Sequence, residues 1–389
     1  MSRIACGFTA NLDGKAALDP SLYERLCKDR RAEGVVPRKQ SAVLRSRREL
    51  AEAIAWNVAA GSGGEYIVAD EELLRDLRGM ADWEWAIGGT GLQAARAAAA
   101  AGHEALVNLP AWTERFDDLL DHDGLRAERN LEAAPPVHYI LEFSCEGRAN
   151  RLILRGTGEF SGRLVAAGFA YRLENEANAF RALLVSGYNA ADNEDKAGIL
   201  MQEQIDLIVA LGAKAPPVHL ELAAFFSREA QLRVIERFRP YIRSVGCNED
   251  EIGELLGLDE PLLELPDDRL LVVLEEARSA LGVSNLILHT REFAACLSGA
   301  DADGWKEALR SGTRFAVARA VSGKFCSEAE IAGIVAGLPP NARGLALAEL
   351  AAGKQGICVV PAFEARKLAG TVGLGDTFAG GLLVAAPPR

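Results

Sequence analysis

Near the C-terminal end, Gly373-Leu374-Gly375-Asp376-Thr377 is followed by Gly380 and Gly381. The run comes after a short apolar stretch, Ile357 to Phe363, and a loop, and it reads as the opening of a helix. Glycines let backbone N–H groups converge on an anion, and a helix N-terminus adds a favourable field there. A carboxylate at Asp376 beside such a place is repelled by the anion unless it is there to take a proton. Donors for a phosphate and a base for an alcohol are what phosphoryl transfer onto a hydroxyl requires. A Gly-rich turn before a helix also serves as a plain structural loop, so the reading depends on the rest of the chain.

Other short runs offer matching chemistry. Asn11-Leu12-Asp13-Gly14 directly follows the first predicted strand. Ligands in parallel sheets bind beyond the carboxyl ends of strands, where an Asp accepts hydrogen bonds from sugar hydroxyls. A turn or a helix cap uses the same residue types. Gly88-Gly89-Thr90-Gly91 precedes an Ala-rich helix, and Gln93 lies early in it. Its N–H groups suit a ligand, and its glycines equally suit a tight strand-to-helix turn. His219-Leu220-Glu221 closes another strand with His219 and Glu221 on one face. A buried Glu there needs a partner, either hydrated Mg²⁺ or the histidine itself. In Asn248-Glu249-Asp250-Glu251 the spacing from Asn248 to Glu251 is that of a capping box, and it also suits a site for Mg²⁺ or its waters. His289-Thr290-Arg291 ends a further strand, where Arg291 is a phosphate partner or a surface residue. His103, His122 and His138 show no partner spacing and read as structural. Neither a Walker A sequence nor the protein-kinase Gly-rich and catalytic loops are present.

The elements that position these residues alternate. Strands are predicted at Arg3–Phe8, Ala105–Leu109, His138–Ser144, Arg151–Leu154, Ala182–Ser186, Val218–Leu222, Ile242–Val245, Leu286–His289 and Cys358–Pro361. Several are continuous apolar runs, as in a parallel sheet buried on both faces. Helices are predicted at Leu92–Ala101, Ala197–Leu211, Arg228–Phe238, Asp268–Ala280 and Ser327–Ala336. The alternation implies βαβ units with right-handed crossovers. Two stretches break the rhythm. Arg30–Arg48 is basic and polar, and Glu142–Leu173 reads as a glycine-spaced meander of antiparallel strands, a lid or a plain insertion.

Composition narrows the class. The chain has 389 residues, 49% hydrophobic and 25% charged, enough for a sizeable core. A net charge of −12 lacks the basic face that nucleic-acid binding needs. Seven scattered cysteines, without a Cys-x-x-Cys pair, read as reduced thiols in a cytoplasm. The N-terminus has too short an apolar run for a signal peptide, and no segment approaches the about 18 apolar residues of a membrane span.

Taken in order, these runs resemble the ribokinase-like superfamily, and within it the ADP-dependent glucokinase/phosphofructokinase family. The resemblance rests on Asn11-Leu12-Asp13, Gly88-Gly89, Val218 to Leu222, Ser244 to Glu251, His289-Thr290 and Thr371 to Asp376. It implies one ribokinase-like α/β domain over residues 1–389: a central, mostly parallel sheet flanked by helices. A small β-sheet lid is expected from segments at about 14–50 and 142–175. It implies Asp376 as general base, with Gly373, Leu374 and Gly375 forming the anion hole. Asn11, Asp13, Gly88, Gly89 and Gln93 would bind the sugar. Glu221, Glu251 and Asn248 would hold Mg²⁺, mostly through water, and His289 and Val360 would line the nucleotide site. The donor would be ADP and the acceptor glucose or fructose 6-phosphate, in a cytoplasmic monomer or homodimer without nucleic-acid or membrane partners. Lid closure would exclude water so that transfer outruns hydrolysis. The segment Glu142 to Gly147 lacks the lysine expected for a sugar phosphate, with Arg148, Arg151, Arg155 and Arg172 as possible substitutes. An ATP-dependent kinase of the same fold and a catalytically silent sugar- or nucleotide-binding regulator are the alternatives.

Overall fold

The fold comes from a computed structural model that describes residues 1–27, 37, 38, 40, 42–120, 122–131, 134–145, 148–157, 164–188, 194–223 and 227–388. Most of Arg30 to Gln40 therefore lies outside the described residues, as do Gly147, Gly158 and Gly162 of the glycine-spaced stretch. The chain divides into two compact units. The larger comprises Met1–Thr9, Gly89–Ala133 and Gly162–Arg389, and the smaller Ala10–Gly88 and Ala134–Ser161.

In chain order the strands are β1 (Arg3–Cys6), β2 (Asn11–Ala17), β3 (Val43–Leu44), β4 (Gly64–Val68), β5 (Glu84–Gly88), β6 (Glu104–Leu109), β7 (Leu125–Arg129) and β8 (Val137–Cys145). They continue with β9 (Arg148–Arg155), β10 (Ala182–Val185), β11 (Val218–Glu221), β12 (Ser244–Asn248), β13 (Asn285–His289), β14 (Phe293–Ser298) and β15 (Ile357–Pro361).

The larger unit carries a nine-stranded sheet in the order β15-β14-β13-β12-β11-β10-β1-β6-β7. Only the pairings of β14 with β13 and β15 are antiparallel. β10 and β14 are buried along their whole length, as expected where both faces of a sheet are covered. The predicted mostly parallel sheet flanked by helices is thus present. Parallel register sets the carboxyl ends of β11, β12 and β13 side by side: Glu221 is opposite Gly246, and Asn248 opposite His289.

The smaller unit carries a six-stranded sheet in the order β3-β4-β9-β8-β2-β5. One face is apolar: Tyr139 pairs with Leu154 and Leu141 with Leu152, over Tyr66 and Val68. The alternate row runs Asp13, His138, Arg155 across β2, β8 and β9, so polar side chains gather at that point of the opposite face.

Several expectations need correction. Asn11–Gly14 is not a loop after the first strand; it opens β2, paired with β5 on one side and β8 on the other. Among the described residues of the Glu142–Leu173 stretch, β8 pairs antiparallel with β9, and a helix at Ala167–Glu176 buries Phe169 and Leu173. The smaller unit, Ala10–Gly88 with Ala134–Ser161, takes in β4 and β5. Gly380 and Gly381 lie inside the helix Leu374–Ala385, where side chains would strike the Ala94 carbonyl at 2.6 Å and the Phe315 ring at 2.7 Å. They permit close helix packing and take no part in the turn.

Candidate active site

Gly373 is the N-cap of the helix Leu374–Ala385, with φ 71° and ψ 21°. That left-handed conformation favours glycine, and a side chain there would overlap the Gln93 carboxamide. The first N–H groups of a helix, here on Leu374, Gly375 and Asp376, have no acceptor within it and point toward any anion at its end. Gly373 receives the next bonds, from Thr377 N at 3.0 Å and Thr377 Oγ1 at 2.7 Å. Asp376 sits half-buried in this first turn. Gln93, in the helix Thr90–Ala100, is buried against the same turn. Gly89 caps that helix at φ 90°. Gly91 approaches the Gly7 backbone, where a side chain would be 3.0 Å away.

Beside this cradle lies a buried polar relay. His219 Nε2 donates to Glu221 Oε2 at 2.8 Å, and His219 Nδ1 lies 2.8 Å from Ser244 Oγ. His289 Nε2 donates to Glu221 Oε1, also at 2.8 Å. Glu221 thus reaches across β12, over the bare Cα of Gly246. Burial works to raise the Glu221 pKa, but the two histidine hydrogen bonds overcome it and hold the carboxyl down at about 2. Burial works to lower the His289 pKa, and the Glu221 bond and charge outweigh it. The His289 ring stacks on Phe378, centroids 4.8 Å apart.

Asn248 and Glu251 complete the capping box: Asn248 Oδ1 accepts from Asp250 N and Glu251 N, and Glu251 Oε2 accepts from Asn248 N at 3.0 Å. Burial, with the nearby Glu221 charge, pushes the Glu251 carboxyl up to about 8. Among the described residues, no three His, Cys, Asp or Glu side chains converge to ligate a metal directly. The donor set suits a hydrated cation: two buried carboxyl groups, Glu221 at the end of β11 and Glu251 in the first turn of the helix after β12, each oxygen with spare lone pairs.

In the smaller unit, Asn11 Nδ2 donates to Asp13 Oδ1 at 2.6 Å and lies 3.2 Å from His138 Nδ1. A side chain at Gly88 would overlap both Asn11 and Asp13, so this glycine makes room for the pair. His138 is the residue that spacing alone misses; its partner lies 127 positions away. Arg155, fully buried, pairs with Glu65 at 2.8 Å. In the larger unit, Arg172 binds Glu128 at 2.5 Å and Glu176 at 3.3 Å. Arg291 is exposed. Val360 is 1% exposed and packs in one apolar cluster with Ile287 and Phe378.

Residues 2–385 match the family model described as the ADP-specific phosphofructokinase/glucokinase conserved region. An ADP-dependent kinase solved in complex with fructose-6-phosphate and ADPβS is similar at 16% identity and TM-score 0.77, covering 98% of this chain and 93% of that one. A phosphofructokinase from Pyrococcus horikoshii OT3 solved with AMP is similar at 18% identity and TM-score 0.73, covering 99% and 97%. The last common ancestor of ADP-dependent phosphofructokinases from Methanosarcinales is similar at 17% identity and TM-score 0.72, covering 100% and 95%. At such identities the likeness to these structures is one of fold.

Proposed function

The chain belongs to the ADP-specific phosphofructokinase/glucokinase family, and on that premise we propose that it transfers the β-phosphoryl group of ADP to a sugar hydroxyl, releasing AMP and a sugar phosphate. The observation that carries the reading is the first turn of the helix Leu374–Ala385. There a carboxylate, Asp376, sits among N–H groups suited to an anion, beside Gln93 and His289.

Asp376 takes the proton of the attacking hydroxyl as the oxygen closes on phosphorus. The N–H groups of Leu374, Gly375 and Asp376 hold the charge that gathers on the phosphoryl oxygens. Glu221 and Glu251, with Asn248 fixing Glu251 through the capping box, would hold a hydrated Mg²⁺. The chemistry such an ion would supply there is neutralisation of charge on the nucleotide phosphates. Asn11 and Asp13 are assigned to acceptor hydroxyls, with His138 orienting their carboxamide and carboxylate.

Two observations favour an uncharged hexose over a sugar phosphate, with Arg148 and Arg151 the remaining candidates for a phosphate partner. No lysine stands between Glu142 and Gly147, and Arg155 and Arg172 are each already bound to carboxylates. The test is phosphoryl transfer from ADP and from ATP, with Mg²⁺, to glucose, fructose 6-phosphate and related sugars. AMP formed only in the presence of one sugar supports the reading and names the acceptor. Turnover with ATP alone moves the donor assignment, and nucleotide binding without turnover by any pair indicates a regulator.

A further inference from the structure

His289 touches three things at once. Its Nε2 donates to Glu221 Oε1 at 2.8 Å. Its ring lies on Phe378, centroids 4.8 Å apart and planes tilted by 34°. Its Cε1 would be 3.1 Å from a side chain at Gly375, so the ring edge lies against that residue's backbone. Gly375 and Phe378 are three residues apart, on one face of the helix and about one turn along it. A ring held against both constrains the helix in rotation as well as in position. Rotation of this first turn decides where the Asp376 carboxylate and the Leu374, Gly375 and Asp376 N–H groups point. The neighbouring ring atom, Nε2, is fixed by Glu221, which is itself held by His219.

We propose that His289 is a positioning residue: it locks the first turn of the helix Leu374–Ala385 to Glu221, so that the general base and the cation-holding carboxylate keep one fixed geometry. The inference rests on the phosphoryl-transfer reading for its catalytic consequence, though not for its structural content. It replaces the direct nucleotide contact that resemblance assigns to this histidine.

Three variants separate its two attachments. His289→Phe keeps a ring for Phe378 and loses the donor to Glu221. His289→Gln keeps an N–H donor near the Nε2 position and loses the ring. Phe378→Leu removes the stack from the other side and leaves His289 intact. In His289→Phe we expect half-maximal turnover to need about tenfold more Mg²⁺. In His289→Gln and Phe378→Leu we expect kcat to fall by about ten- to a hundredfold, the scale of a misplaced catalytic group, with the Mg²⁺ requirement near that of the unaltered protein. AMP affinity stays within about twofold in all three. Hydrogen exchange of the amides at 374–378 is followed in parallel without any ligand. It should rise in His289→Gln and Phe378→Leu and change less in His289→Phe. Loss of AMP affinity in both His289 variants would instead make His289 a nucleotide contact. Equal losses of kcat and Mg²⁺ response in all variants, tracking Tm, would make it ordinary packing; either result overturns the proposal. If the unaltered protein transfers nothing from ADP, the functional reading fails by itself, and the exchange measurement still decides whether His289 locks the helix.

Discussion

Glu221 Oε2 occupies the space in which a side chain at Gly246 would begin. The two residues are direct partners across β11 and β12, on the same face of the sheet. A glycine at that point lets the Glu221 carboxylate pass over β12 and meet His289 on β13. The requirement is spatial and not conformational: Gly246 lies in an ordinary strand, and a methyl group would be expelled by an oxygen.

Gly246→Ala should therefore break the relay while the strand still pairs. Overpacking costs about 1–3 kcal/mol, and a displaced Glu221 loses buried hydrogen bonds as well. We expect a fall in urea-unfolding free energy in that range or above, together with loss of the Mg²⁺ response. An Ala variant with native stability and native Mg²⁺ dependence would show that Glu221 does not need this gap.

Asp376→Ala removes the proposed base and leaves the N–H groups of its turn in place. Turnover should fall by about 10²–10⁴-fold, the usual contribution of a positioned acid or base. ADP should still raise Tm, since a ligand that binds only the native state stabilises it. Near-normal turnover would refute the base assignment. Loss of the ADP-induced rise would assign Asp376 to nucleotide binding.

The pH dependence of stability follows from two carboxyls of opposite behaviour. Glu251 is raised from 4.5 to about 8 by burial and the Glu221 charge. The folded chain then holds a proton that the unfolded chain releases between those values, so stability falls as pH rises through that window. Glu221 is depressed to about 2, because its histidine bonds overcome burial. Its contribution is present above the unfolded value of 4.5 and is lost as pH falls from 4.5 toward 2. Glu251→Gln keeps an acceptor for the capping box and cannot ionise. Between pH 5 and 8 its Tm should be flatter than that of the unaltered protein. Mg²⁺ binding should tighten toward pH 8 in the unaltered protein only. Parallel Tm curves for the two proteins would remove Glu251 as the titrating group.

Legibility in the sequence followed how local each cause is. β10, with Ala182–Val185 buried throughout, announces itself as a continuous apolar run. β2 does not, because Asn11, Asp13 and Gly14 are turn residues by type, and pairing with β5 and β8 overrides that preference. β14 follows β13 through a turn held by Thr290 Oγ1, and its Ala-Ala-Cys centre has weak strand propensity. In the site, the His219 and Glu221 alternation and the Asn248 to Glu251 box are local patterns and were readable. The link from Glu221 to His289 spans 68 residues and that from Asn11 to His138 spans 127, and neither leaves a trace in spacing. Val360, given to the nucleotide site by resemblance alone, packs in the core.

Gly373 is constrained twice, and the two constraints can be measured apart. Its φ of 71° is left-handed, which costs an L-residue about 1–2 kcal/mol. Its Cα also abuts the Gln93 carboxamide, so a methyl group adds overlap worth about 1–3 kcal/mol. Gly373→Ala should show both costs. Gln93→Ala alone should cost less, through lost packing in a buried position. In the double variant the overlap disappears and the backbone strain stays, so its destabilisation should be smaller than the sum of the single ones by about 1 kcal/mol or more. Catalysis should not recover with stability, because the N–H groups of the first turn remain displaced by the strained cap. Strict additivity in urea unfolding would mean that Gln93 does not press on Gly373, and the cradle would then need a different wall.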